Sequence, residues 1–173
     1  MTAAQAEPVV TPRPEARIRV RAATAADLDT IAALRLALLR EYGSHAVYGR
    51  LHPDAEARAP QLCAQQLASP SDAFFLAEVD GAVAGLLRCT ESHASPLLEL
   101  ERFAYVSSVY VRPDCRRRGV LRALMARADG WCVERGLSEM RLHNVPGGTA
   151  AAVWAGLGFG VVEEVRTRVL GAH

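Results

Sequence analysis

The chain has 173 residues, half of them hydrophobic and 23% charged, with a formal net charge of +1. That length and balance predict one globular domain with a real core, and the near-neutral charge excludes a dedicated nucleic-acid binder. No apolar run approaches the roughly 20 residues that a membrane-spanning helix needs. The four cysteines, Cys63, Cys89, Cys115 and Cys132, contain no Cys-x-x-Cys pair and have no histidine cluster beside them, so neither a zinc site nor a disulfide framework is expected. No lysine occurs anywhere, which removes lysine modification as a means of control.

Residues 1–16 carry Pro8, Pro12 and Pro14 with little periodicity and read as a disordered tail. They lack the apolar core of a signal peptide, which leaves the cytoplasm as the default location. A single domain is expected over 17–173. Ile18 to Ala22 alternates and predicts a strand. Thr24-Ala-Ala-Asp27 resembles a capping box, and Leu28, Ile31, Leu34 and Leu38 mark the inner face of a helix ending near Glu41. Tyr42 to Pro53 is a loop in which His45 and His52 are candidates to line a substrate pocket. Asp54 to Ala68 is helical in composition, but Pro60 predicts two pieces or a start near Pro60.

Ala73 to Val79 and Ala82 to Thr90 read as a hairpin turned by Asp80-Gly81. Glu91 to Pro96 is a loop. Leu97 to Val111 follows as a third strand of the meander, long enough to predict a bend or bulge. A helix from about Gly119 to Arg135 places Val120, Leu124, Ala128 and Trp131 on one stripe, with Leu121, Met125 and Cys132 beside it and Gly136 as its terminating glycine. Ser138 to His143 predicts a strand, Val145 to Gly148 a turn, Thr149 the cap of a short helix over Ala150–Ala155, and Gly160 to Leu170 a last strand. The order predicts an α/β architecture: an antiparallel meander to which later strands are added through helical crossovers.

One junction carries chemistry. Between Val111 and the helix from about Gly119 lies a polar, basic turn, Arg112 to Arg117. The first N–H groups of that helix have no intrahelical acceptor, and the helix dipole adds partial positive charge. Gly119 allows a ligand close to the backbone, and Arg116, Arg117, Arg118 and Arg122 add cations. This is an anion site suited to phosphate or pyrophosphate.

With these residues in place, the chain resembles the GNAT N-acetyltransferase superfamily. Arg116-Arg-Arg-Gly119-Val-Leu121 matches its pyrophosphate motif, in which Arg or Gln is followed by two residues, Gly, one residue, then Gly or Ala. Val109-Tyr-Val111-Arg-Pro113 is similar to the fourth strand and its exit. Gly147-x-x-Ala150-x-x-x-Trp154-x-x-x-Gly158-Phe159 is similar to a late motif that usually has Asn first and Tyr at the Trp154 position. The resemblance covers residues 18–170. It implies a mixed, mostly antiparallel central sheet flanked by helices and splayed between strands 4 and 5. It also implies transfer of acetyl from acetyl-CoA, without a metal, to a primary amine, expected to belong to a small molecule.

The same resemblance implies the roles of individual residues. Backbone groups from Val109, Tyr110 and Val111 hold the pantetheine arm and polarise the thioester carbonyl. Arg116, Arg117, Arg118, Gly119, Val120, Leu121 and Arg122 cradle the pyrophosphate, with Asn144 standing near the place of the missing Asn. Glu101 is the expected general base and Tyr105 a supporting polar group. Leu121 departs from the motif and is expected to point into the helix–sheet interface. Trp154 has only an indole N–H and cannot act as a proton donor at neutral pH. Cys115 is expected to be a reduced surface thiol. Peptide acetylation, and a non-catalytic acyl-CoA sensor, are the competing readings. A generic nucleotide-binding module is improbable without a Gly-x-x-x-x-Gly-Lys loop. Neither a nucleic acid nor a membrane is an expected partner, and a homodimer is left open.

Overall fold

A computed structural model describes residues 17–145 and 148–170. The predicted tail, 1–16, and part of the predicted turn, Pro146 and Gly147, lie outside the described residues. The elements are β1 (Ile18–Ala22), α1 (Leu28–Glu41), α2 (Ala55–Ala68), β2 (Asp72–Val79), β3 (Ala82–His93), β4 (Arg102–Val111), α3 (Val120–Glu134), β5 (Met140–Leu142) and α4 (Gly148–Gly156). The sheet order is β1-β2-β3-β4-β5. The first four strands are antiparallel to their neighbours and β5 joins β4 in parallel.

The two faces of the sheet are covered by different helices. Phe75, Ala77, Leu87, Cys89, Ala104 and Val106 face α3, which buries Val120, Leu124, Met125, Ala128, Trp131 and Cys132 against them. The stripe expected from periodicity is the buried one, and Leu121 packs partly against the same core. Gly85 makes this close approach possible: a Cβ there would meet the Tyr110 carbonyl oxygen at 3.0 Å and Leu124 Cδ1 at 3.2 Å. The other face presents Phe74, Leu76, Leu86 and Tyr110 to α1 and α2 through Ile31, Leu34 and Cys63.

The start of α1 is fixed by one carboxylate. Asp27 accepts hydrogen bonds from the Thr24 amide at 2.8 Å and the Thr24 hydroxyl at 3.1 Å. It also takes both Arg21 terminal nitrogens at 2.8 Å. Arg21 in turn donates its Nε to Glu78 at 2.7 Å, so one cluster joins β1, β2 and the entry to α1. The bidentate Arg21 bonds hold the Asp27 carboxyl far below the usual carboxylate range, against the upward pull of burial.

Four sequence expectations change. First, α2 is one helix running through Pro60. Only the Glu56 carbonyl loses its N–H partner, and both residues are exposed, so water can supply the bond. Second, β3 continues to His93, and β4 begins at Arg102, because residues 97–101 form an exposed connection between the paired strands. Third, the helix after β5 begins at Gly148, so Thr149 lies inside it and is not its cap. Fourth, residues 160–170 form no strand and have no ladder partner among the described residues. The hairpin turn at Asp80-Gly81 is as expected, with positive φ at both residues.

Because the Asp27 carboxyl is depressed, the stabilisation it gives is present above its unfolded value of about 3.9 and is lost as pH falls below it. Asp27→Asn should therefore destabilise the fold by about 2 kcal/mol at pH 7. It should have progressively less effect in urea melts as the pH is taken below 4. An equal loss at all pH values would contradict the ionised role.

Candidate active site

The site begins with a slip in β4. Leu86 pairs with Tyr110 and Arg88 with Ser107, so Leu87 alone faces both Ser108 and Val109. Ser108 takes the extra residue with φ of 51°. This is the bulge expected from the strand's length. Its consequence is a change of parity. Before the bulge Ala104 and Val106 face α3; after it Val109 and Val111 do.

The same shift turns the backbone. The Arg112 amide donates to the Ala84 carbonyl on β3 at 2.8 Å, so the Val111 carbonyl points away from β3. In extended chain the N–H of a residue points to the same side as its own C=O, so the N–H groups of Val111 and Val109 face away from β3 as well. Among the described residues no strand meets them there. The β5 ladder stops at Val106↔Leu142, while β4 runs on to Val111. That leaves a gap, the splay between strands 4 and 5, lined on one side by β4 backbone.

At the foot of the gap the chain makes a short turn, Pro113–Cys115, and then the loop that leads into α3. Arg117 has φ of 59° and Gly119 of 87°, so left-handed residues alternate with others. Successive amides then converge on one concavity, a shape suited to an anion. From Arg117 to Arg122 no N–H has a backbone or side-chain acceptor among the described residues. The first amide tied into the helix is that of Ala123, which donates to the Gly119 carbonyl at 3.0 Å. Six unsatisfied donors in sequence, at the positive end of a four-turn helix, form a binding surface for a doubly charged anion. Arg117 and Arg122 are exposed at its rim, and Arg118 reaches Asp80 only loosely, at 3.8 Å.

Arg116 has a different task from the one its place in the motif suggests. Its Nε donates to the Val111 carbonyl at 2.9 Å, and one terminal nitrogen donates to both Glu41 oxygens at 2.6 and 2.8 Å. The guanidinium therefore locks the exit of β4 and ties it to the end of α1. Tyr110 lies beneath it, with the guanidinium carbon 5.8 Å from the ring centroid. Burial, with Glu41 close by, raises the Tyr110 hydroxyl pKa.

On the α1/α2 face of the gap stand Tyr105 and His143, with ring centroids 5.3 Å apart. Burial raises the Tyr105 pKa and nearby Tyr48 adds to it, while a hydrogen bond with the His143 backbone opposes them. The Tyr105 hydroxyl therefore stays protonated at neutral pH. Tyr48 belongs to the loop after α1, where Tyr42, His45 and Tyr48 pack as one group; the His45 and Tyr48 rings stack at 4.9 Å. His45 Nδ1 accepts the Val47 and Tyr48 amides, and His52 Nδ1 accepts the Asp54 amide. His52 lines a surface cavity of about 330 Å³ between Leu36, Arg40 and Glu56.

Some expected residues are not brought to the gap. Glu101 is exposed on the connection before β4. At about 3.3 Å per residue it lies roughly 25 Å along the strand from Val109. Asn144 is not one of them: it is exposed directly after His143, beyond the end of β5. Trp154 packs against the α3 core and edge-on to Phe159, with centroids 5.6 Å apart. Cys115 is buried in the core and is not a surface thiol. His143, by contrast, was not singled out by its spacing; only the fold reveals its place beside Tyr105.

The model of the acetyltransferase (GNAT) family matches residues 33–159. The chain belongs to the acetyltransferase (GNAT) family. No curated protein matches it. Solved structures share the fold at low identity. A predicted acetyltransferase with acetyl-CoA from Clostridium acetobutylicum is 17% identical, with a TM-score of 0.73, over 88% of this chain and 96% of that one. A GCN5-related N-acetyltransferase from Ralstonia eutropha is 24% identical, with a TM-score of 0.72, over 90% of this chain and all of that one. The aminoglycoside N-acetyltransferase AAC(6')-Iy in complex with CoA is 22% identical, with a TM-score of 0.73, over 94% of this chain and all of that one. The GNAT chain described here is thus an acetyltransferase with the open, mixed sheet of its family.

If Arg116 acts by its two-ended bonding, charge alone cannot replace it. Arg116→Lys and Arg116→Ala should both weaken CoA binding about tenfold, with thermal stability lowered by less than about 1 kcal/mol because the pair is exposed. Wild-type affinity in Arg116→Lys, measured by calorimetry, would show that only the charge matters.

Proposed function

We propose that this GNAT acetyltransferase moves the acetyl group of acetyl-CoA to a primary amine of a small molecule, by direct attack with both substrates bound. The run of six free amides from Arg117 to Arg122 carries the reading, because it supplies the donors that a pyrophosphate needs and a protein interior would not leave unused. The residues fit the cofactor in two further respects. Gly119 keeps the concavity open, since a Cβ there would meet only Ile18 Cδ1, at 3.7 Å. The free edge of β4 gives a pantetheine-like chain amide partners at Val109 and Val111. Acetyl-CoA supplies a thioester already activated toward nucleophiles.

The chain's own groups then act on the acceptor and on the thioester carbonyl. An N–H on the Val109–Val111 edge donates to the carbonyl oxygen as negative charge develops there. The acceptor amine reaches the carbonyl from the α1/α2 face, past Tyr105, whose hydroxyl oxygen orients it by accepting an amine N–H and so leaves the nitrogen lone pair free to attack. An alkyl ammonium must lose a proton before it attacks, since its pKa is near 10.4. His143 is the general base in this reading, because its imidazole is next to Tyr105 at the mouth of the gap, whereas Glu101 is remote and Glu41 is held by Arg116. Trp154 cannot donate a proton, and water protonates the departing thiolate.

A small acceptor is favoured by the loop after α1. Tyr42, His45 and Tyr48 pack on one another above Tyr105, which suits a lid better than a groove open to a peptide. The shared fold of an aminoglycoside N-acetyltransferase supports the same class of acceptor.

Calorimetric titration with acetyl-CoA should show binding to the wild type and none to Gly119→Glu, whose carboxylate would occupy the anion concavity. Release of free thiol should then follow addition of small amines and not of peptides. Binding with no thiol release for any amine would instead make the chain a sensor. His143→Gln should lower kcat about a hundredfold. Glu101→Gln should leave kcat unchanged, and the reverse pattern would return the role of base to Glu101.

A further inference from the structure

The residues from Tyr105 to Tyr110 read the same in both directions, Tyr-Val-Ser-Ser-Val-Tyr. Val106 and Val109 pack on the α3 core, and Tyr110 is buried on the other face. That pattern requires one extra residue between the valines, but it does not say which serine is extra. A left-handed φ is equally strained at either serine. In the structure it falls on Ser108, with φ of 51°. A partner outside β4 therefore makes the choice.

Arg88 is placed to make it. It lies on β3, on the α1/α2 face of the sheet, opposite Phe74 of β2 on one side and Ser107 of β4 on the other. Arg88↔Ser107 is the last regular pair before the slip. One terminal nitrogen of Arg88 forms an ion pair with Asp72, and the other donates to the Ser107 hydroxyl oxygen at 3.3 Å. The Asp72 carboxylate also accepts the Thr90 hydroxyl at 2.9 Å. The Arg88 and Asp72 side chains are only 15% and 7% exposed. The guanidinium thus spans three strands, and it does so with its Nε buried and without a partner among the described residues. A buried donor left unpaired works against stability, so the placement answers to the two ends of the guanidinium and not to its own hydrogen bonding. Asp72 already balances its charge, which leaves it no free cation to offer an acceptor.

We infer that Arg88 is a positioning residue: its brace from Asp72 to Ser107 keeps Ser107 in the regular ladder, so that the extra residue falls at Ser108 and the bend of β4 falls beside Val109. With the brace cut, the slip can move to Ser107. Leu87 then pairs with Val109 alone, and the bend moves one residue, about 3.3 Å, away from the free edge. The effect on acetyl transfer rests on the role proposed above for the Val109–Val111 edge; the effect on the strand does not.

Carbon chemical shifts of isotope-labelled protein report which serine is left-handed, with or without a substrate. The wild type should show Ser108 left-handed and Ser107 extended. Arg88→Lys keeps a charge for Asp72 but offers one nitrogen where two places must be met. In it both serines should shift toward the midpoint between those two states. Ser107→Ala, which removes the acceptor and leaves the ion pair in place, should move Ser108 in the same way. Adding Ser108→Gly to Arg88→Lys should restore the wild-type shift of Ser107, because glycine takes a positive φ without strain. Adding Ser107→Gly instead should leave Ser108 extended. In thiol release with an accepted amine, Arg88→Lys should lower kcat about tenfold with the KM for acetyl-CoA within about twofold of wild type. Ser108→Gly should recover that kcat and Ser107→Gly should not. Serine shifts unmoved in both Arg88→Lys and Ser107→Ala would overturn the inference, as would recovery of kcat by either glycine alike. A wild type that releases no thiol with any amine would count against the proposed function alone, and the serine shifts would still decide the brace.

Discussion

The backbone from Arg117 to Arg122 presents N–H groups that no carbonyl among the described residues meets, because left-handed residues at 117 and 119 break the approach to α3 just where a preceding turn would have supplied acceptors. Leaving six donors unpaired is tolerable only at a surface where an anion or water takes them. The rest of the site is arranged around that constraint. The apolar stripe of α3 clamps the helix to the sheet, and Gly85 lets it come close enough for its N-terminus to sit at the end of β4. Arg116 then fixes the strand exit from the other side, by holding the Val111 carbonyl and the Glu41 carboxylate together.

The bulge in β4 connects this anion site to the chemistry. One inserted residue at Ser108 keeps the α3 face apolar along the whole strand and at the same time re-aims the backbone of Val109 and Val111 into the gap. A regular strand would have had to sacrifice one or the other. The gap itself follows from the shortness of β5, which pairs with three residues of a ten-residue strand. The free backbone edge and the tie to α1 therefore both fall on the last five residues of β4, where the proposed cofactor and acceptor would meet.

Much of this was legible in the sequence, for definite reasons. The hairpin, the two core helices and the loop before α3 are set by local signals: a two-residue turn, 3.6-residue periodicity, a glycine at a helix start. What the sequence did not show was decided by distant partners. Glu101 is the expected base only because the resemblance implies a carboxylate on the fourth strand, and its place just before β4 puts it at the other end of that strand from Val109. His143 carries no local signal, since its neighbour Tyr105 is on another strand. Pro60 obeys the rule against helix interiors in every respect but exposure, and exposure is not visible along the chain. Residues 160–170 have the composition of a strand and no ladder partner among the described residues; composition can show a preference for pairing but not where the pairing partner is.

The most direct test of the anion site is the amide spectrum of isotope-labelled protein titrated with CoA and, separately, with pantetheine, which lacks the pyrophosphate. The amides of Arg117 to Arg122 should shift strongly with CoA and stay in place with pantetheine, while those of Val109 and Val111 respond to both. Shifts from CoA concentrated elsewhere, with the Arg117–Arg122 amides unmoved, would contradict the account.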